Sequence, residues 1–193
     1  MKFKIFHFNN ISSTNDMAIK LIRKKNCENG FVSAFSQKKG RGRRGKKWIS
    51  LKGNLFSTFF FKMKKNYPTV KEFTLINAIL NINLISKYCG KSNTYFKPPN
   101  DIYINKKKIC GILQEVITKS KRKYLIIGIG TNLVSNPITN NFTSTNILNE
   151  TNKKPSLLLY KKRLINLYEI FFKNIDKYSF LKFKLKSKKF LLN

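Results

Sequence analysis

Residues 37–48 read QKKGRGRRGKKW, and the rest of the chain is organised around them. Gly40, Gly42 and Gly45 alternate with Arg41, Arg43 and Arg44, and Lys46 and Lys47 follow. Glycine admits positive φ and a close backbone approach, which leaves N–H groups free to point at an anion. Guanidinium forks match the oxygens of a carboxylate or a phosphate. The stretch therefore suits a ligand carrying either group, and is expected to be mobile when empty. It is neither a Walker A loop, which needs GxxxxGK[ST], nor a GxGxxG turn between strand and helix. A solvated basic loop, or a nucleic-acid arm of the arginine–glycine kind, is the plainer reading it must displace.

Working outward, positions 31–36 alternate into a strand that feeds the loop, and LFSTFFFKM at 55–63 is strongly β-prone. Upstream, positions 3–8 read as a half-buried strand. Ser12, Ser13 or Thr14 then caps a helix with Met17, Ala18, Leu21 and Ile22 on one face. Pro68 opens a helical pattern reaching Tyr88, which Gly90 to Asn93 should end. A strand, a turn at Pro98-Pro99-Asn100-Asp101 and a hairpin through Asn105 and Lys107 follow. KYLIIGIGTNL at 123–133 is a buried strand ending in Gly128 and Gly130. After Pro137 a polar loop with one short helix is expected, then a final helix from Pro155 and a basic tail. This order predicts one α/β domain with a mixed sheet and helices on one face.

The 193 residues carry 40 Lys and Arg against 8 Asp and Glu, a net charge of +32. Such charge points to nucleic acid or an anionic membrane. The lysines are spread over the whole chain, however, beside abundant Asn, Ile and Phe, a pattern that A/T-rich codons would produce. Cys27, Cys89 and Cys110 lack metal-like pairing and read as reduced thiols of a cytoplasmic protein. No apolar stretch is long enough to span a membrane. His7 is the only histidine and is expected to be structural, so histidine-centred catalysis is disfavoured.

Four stretches stand together: SSTN at 12–15, the glycine–arginine loop, KPPND at 97–101 with CGILQE at 110–115, and GIGTNL at 128–133. In this order and spacing they resemble the catalytic domain of biotin–protein ligases, which carry STN, GRGRRGxxW, KWPND followed by GILxE, and GIGxN. The resemblance covers roughly residues 1–175. It implies a mixed, largely antiparallel sheet packed by helices, of the class II aminoacyl-tRNA-synthetase type. It implies that biotin and ATP form biotinyl-5′-AMP, which acylates a lysine on the biotin carboxyl carrier domain of acetyl-CoA carboxylase. ATP and Mg would serve as co-substrate and ion, with no tightly bound prosthetic group.

By motif, Ser13, Thr14, Asn15 and Gln37 would line the ureido end of biotin. Arg41, Gly42 and Arg43 would wrap the carboxylate and phosphate, and Trp48 would pack near the nucleotide. Lys97 would sit against the biotin carboxylate and the α-phosphate, making Lys97 and Arg43 the catalytic pair. Asn132 would help hold the nucleotide's magnesium. Pro98 stands where the family has Trp, which removes an aromatic surface behind the turn. Residues 1–193 are expected to form the catalytic domain alone, without an N-terminal helix-turn-helix or a C-terminal SH3-like domain. No specific DNA and no membrane partner is expected, and the oligomeric state, a homodimer included, is left open.

The chemistry fits these residue types independently. A carboxylate with pKa of about 4–5 is ionised at neutral pH, so adenylation needs cations rather than a base. Transfer to a lysine of pKa about 10.4 requires loss of a proton, with Asp101 and Glu115 as acidic candidates. Glu115 reads better as a strand-face partner for lysine. A lipoate or octanoyl ligase or transferase of the same fold, and a basic nucleic-acid-binding protein, are the competing functions.

Overall fold

The computed structural model describes residues 1–90, 94–140 and 142–190. Strand β1 (Ile5–Ile11) leads through helix α1 (Thr14–Lys25) to β2 (Asn29–Gln37), which pairs with it in parallel. A parallel pair needs a crossover, and α1 supplies it. Every later pairing is antiparallel: β3 (Leu55–Lys62), β4 (Thr94–Lys97), β5 (Asp101–Ile104), β6 (Lys107–Lys119) and β7 (Arg122–Thr131). The seven strands lie in the order β1-β2-β3-β7-β6-β5-β4, so the mixed, largely antiparallel sheet is as expected.

The helices do not lie on one face. Phe59 and Phe61 of β3 point into the larger core, against α2 (Val70–Cys89) and α4 (Leu157–Lys173). Phe60 points the other way, with Val32 and Ile126, against Ala18, Leu21 and Ile22 of α1. Successive phenylalanines on one strand demand cover on both sides, and the crossover helix provides the second layer. A cavity bordered by Ser13, Thr14 and Asn15 lies on the α1 side.

Helix α2 starts in a capping box, Thr69 with Glu72, worth about 1 kcal/mol. Buried residues occur all round it because the sheet, α4 and α3 (Ile147–Thr151) enclose it. Its end at Gly90 is seen, with φ of 83°, while Lys91, Ser92 and Asn93 lie outside the described residues. The helix from Pro155 is not the last. Helix α5 (Phe180–Ser187) follows within the lysine-rich tail, and Phe190 beyond it is buried in the main core.

Candidate active site

Every residue expected at the site except Glu115 borders one cavity of about 850 Å³ on the α1 side of the sheet. Its floor is made of Gly111, on β6, and Gly128 and Gly130, on β7, with Gly111 opposite Gly130 in the ladder. None of these is a positive-φ glycine. They are needed for close approach: a Cβ on Gly128 would stand 2.4 Å from Asn15 Oδ1, and one on Gly130 only 2.3 Å from the Trp48 ring. On Gly111 the same ring would be 2.6 Å away. Motif reading noted these glycines but gave them no role, because the groups seated on them come from distant segments.

One end of the cavity is polar and neutral. Ser13 is the N-cap of α1, its Oγ accepting from Asp16 N at 3.4 Å, and it also faces the cavity. The Thr14 backbone N–H and hydroxyl both donate to Gln37 Oε1, at 2.7 and 3.1 Å, while Gln37 Nε2 donates to Ser50 Oγ at 3.2 Å. Asn15 Nδ2 donates to Glu115 Oε2 at 2.7 Å, and Thr58 Oγ1 donates to Asn15 Oδ1 at 2.6 Å. Ser13, Thr14, Asn15 and Thr58 are buried, so their amide and hydroxyl groups are held in fixed directions.

The other end is covered by the glycine–arginine loop, which is a small hairpin. Arg41 bridges Lys47, Gly42 N donates to Lys46 O at 2.7 Å, and Trp48 N donates to Gly40 O at 2.9 Å. A 3-10 turn at Arg43–Gly45 makes the bend, with Arg44 at φ of 52° and Gly45 at 74°. The left-handed position costs glycine nothing and is what the second glycine–arginine repeat supplies.

Arg41 and Arg43 part company here. The Arg41 fork meets Glu115 in two bonds, 2.8 and 2.7 Å long, and Asp16 at 2.9 Å. Glu115 thus partners an arginine rather than the lysine expected of it, and its hydrogen bonds hold the guanidinium above its ordinary pKa. Arg43, Arg44, Lys46 and Lys47 also border the cavity, and no carboxylate pairs with them among the described residues. Two buried donors on the hairpin, Arg41 Nε and Trp48 Nε1, have no hydrogen-bond partner. A buried donor left unpaired costs about 1–3 kcal/mol, and a ligand oxygen would remove that cost.

Lys97 ends β4 exposed at the cavity edge, and its Nζ stands 4.8 Å from the centre of the Tyr103 ring. Tyr103 therefore supplies aromatic surface beside the turn that carries Pro98. Asp101 pairs with Lys108 Nζ at 2.9 Å. That ammonium also lies 5.5 Å from the Trp48 ring centre and 5.1 Å from Phe142. Sequence reading missed Lys108 and Phe142; the loop after Pro137 folds back onto β6, with Lys108 N donating to Thr143 O at 2.9 Å. Asn132 is buried, borders the cavity and donates from Nδ2 to Thr145 O at 3.0 Å.

His7 lies on β1, away from the cavity, with Nδ1 3.0 Å from Ser33 Oγ. Burial pushes its pKa down, so it is neutral at pH 7. Burial also pushes the Cys110 thiol up to about 12. Among the described residues no three His, Cys, Asp or Glu side chains gather as a metal site, and no helix is long and apolar enough to cross a membrane.

Comparison with known proteins agrees with this geometry. The bifunctional ligase/repressor BirA of Escherichia coli is 30% identical over 125 residues, 64% of this chain and 38% of its own length. The biotin–[acetyl-CoA-carboxylase] ligase of Paracoccus denitrificans is 30% identical over 127 residues, 65% of this chain and 52% of its own. The chain thus matches between about a third and a half of these relatives. The structure of biotin protein ligase from Leishmania major with biotinyl-5-AMP superposes with a TM-score of 0.83, covering 98% of this chain and 81% of that one at 24% identity. The model of the biotin/lipoate A/B protein ligase family matches residues 7–132. With well over half of its length matched, the chain belongs to that family.

Proposed function

We propose that this chain is the catalytic domain of a biotin–protein ligase, forming biotinyl-5′-AMP and transferring biotin to a lysine of a biotin carboxyl carrier domain. One observation carries the reading: a single cavity joins a fixed polar end to a cover bearing Arg43, Arg44, Lys46 and Lys47, none of which pairs with a carboxylate among the described residues. The neutral end suits an uncharged ureido group, with Ser13, Thr14, Asn15 and Gln37 around it. The cationic end suits the carboxylate and the triphosphate.

In the first step a biotin carboxylate oxygen attacks the α-phosphorus of ATP, a P–O bond forms, and pyrophosphate leaves with the electrons of the bond it breaks. Two anions must be brought together, and Arg43 and Lys97 offset their repulsion by fixed electrostatics. The closed hairpin keeps water from the mixed anhydride. In the second step a lysine amine attacks the biotinyl carbonyl carbon, AMP leaves, and the amine loses a proton. Asp101 is the acidic group nearer Lys97, as its partner in the β4–β5 ladder. Magnesium, when bound, offsets phosphate charge; Asn132 Oδ1 would contribute one neutral oxygen, and phosphates and water most of the rest. The free thiols suit a reducing compartment, and we place the protein in the cytoplasm.

Pyrophosphate release in the presence of ATP and magnesium tests the reading, with biotin, lipoate and octanoate offered separately. Release with biotin alone is expected. Release with lipoate or octanoate but not biotin would overturn it.

A further inference from the structure

Glu115 does not line the cavity but bonds a residue from each of its two ends, Asn15 and Arg41. Its side chain is 26% exposed on β6, and three donors converge on it. Oε1 accepts from Arg41 Nη1 at 2.8 Å, and Oε2 accepts from Arg41 Nη2 and from Asn15 Nδ2, both at 2.7 Å. Arg41 comes from the root of the hairpin and Asn15 from the first turn of α1. The contact therefore ties together two segments that share no covalent neighbourhood.

The same bonds occupy the Asn15 amide and both Nη atoms of Arg41, leaving Arg41 Nε as its unpartnered donor. Asn15 Nδ2 gives its second hydrogen to Leu113 O at 3.4 Å, and Asn15 Oδ1 accepts from Thr58. Both ends of the Arg41 fork face carboxylates, since Asp16 approaches Nη2 at 2.9 Å. The positive charge of Arg41 is thereby offset locally, and an anion in the cavity is met instead by Arg43, Lys97 and their neighbours. A bidentate guanidinium–carboxylate contact fixes orientation as well as distance. Glycines at 40 and 42 leave Arg41 without packing side chains beside it, so the hairpin is held down at two places, Arg41 on Glu115 and Trp48 on the glycine floor.

The geometry points to Glu115 as a positioning residue: through Arg41 and Asn15 it sets the spacing between the polar end of the cavity and its cationic cover. Its consequence for turnover rests on the ligase reading, but the contact is tested without any substrate. Trypsin cleavage after Arg43 and Arg44, followed by mass spectrometry on the ligand-free chain, reports opening of the hairpin. Glu115→Gln and Arg41→Gln should each raise that rate about fivefold, and the double variant no further, because they break one shared contact. Glu115→Asp, which keeps the charge, should recover part of the protection. The thermal midpoint should stay close to that of the unaltered protein; should Glu115→Gln fail to fold, Arg41→Gln reads the same contact from the more exposed side.

In parallel, the KM for biotin should rise more than kcat falls. Unchanged cleavage in both singles, or additive increases in the double, overturns the assignment. A fall in kcat with unaltered cleavage would put Glu115 in the chemistry and overturns it too. Altered cleavage in a protein that forms no biotinyl-AMP would sink the ligase reading while leaving the positioning role in place.

Discussion

Gly130→Ala should impair adenylation while leaving the fold intact. Gly130 is clamped in the sheet between Phe56 of β3 and Gly111 of β6, so its backbone cannot retreat. A Cβ there would lie 2.3 Å from the Trp48 ring, against 3.4 Å for the start of ordinary contact, so the ring must withdraw by 3.4 − 2.3 = 1.1 Å. Trp48 is half-buried at the edge of an 850 Å³ cavity and has room to do so. Overpacking of a closed core costs about 1–3 kcal/mol, and an open neighbour brings this to the lower end. A displacement of about 1 Å at reacting groups costs on the order of 10²-fold in rate. The expected result is a pyrophosphate-release rate about a hundredfold lower, with the thermal midpoint down by only a few degrees. Wild-type release from a folded Gly130→Ala protein would refute the role given to the Trp48 seat. So would a collapse of stability, which would show that the ring has nowhere to go.

Three further outcomes follow. Lys97→Ala should lower pyrophosphate release at saturating biotin by about 10²-fold, as expected for loss of one preorganised cation, with stability unchanged because Lys97 is exposed. Arg43→Gly should still form biotinyl-AMP but retain it about tenfold to a hundredfold less well, so that a blot detects biotin on admixed serum albumin as well as on the carrier; labelling confined to the carrier at wild-type rate speaks against the clamp. Cys110, whose thiol is pushed up to about 12 by full burial, should resist iodoacetamide at pH 8 until the protein unfolds, while half-buried Cys27 reacts. Early alkylation of Cys110, read by peptide mapping, would contradict its full burial in the main core.

What was legible in the sequence was local. The glycine–arginine hairpin, the KPPND turn and the end of β7 are contiguous motifs whose residue types state their chemistry, and the succession of strands and helices along the chain followed from alternation and turns, whereas the order of strands in the sheet did not. What was hidden depends on separation in the chain. Nothing in Glu115 itself names Arg41 or Asn15 as partners, 74 and 100 residues away. Gly111 and Gly130 acquire a purpose only when Trp48 lands on them. The run Phe59-Phe60-Phe61 did carry a signal for helices on both faces, since consecutive large apolar residues cannot all point one way. Helix α5 was masked because its lysines gave the tail the look of a solvated charge run.

The central claim is that this cavity makes and delivers activated biotin. Incubating the protein with biotin, ATP, magnesium and a biotin carboxyl carrier domain, then weighing the carrier, tests it most directly. The account predicts one added biotinyl group on a single carrier lysine, dependent on ATP and lost in Lys97→Ala. An unmodified carrier, with the folded protein and both substrates present, would contradict it.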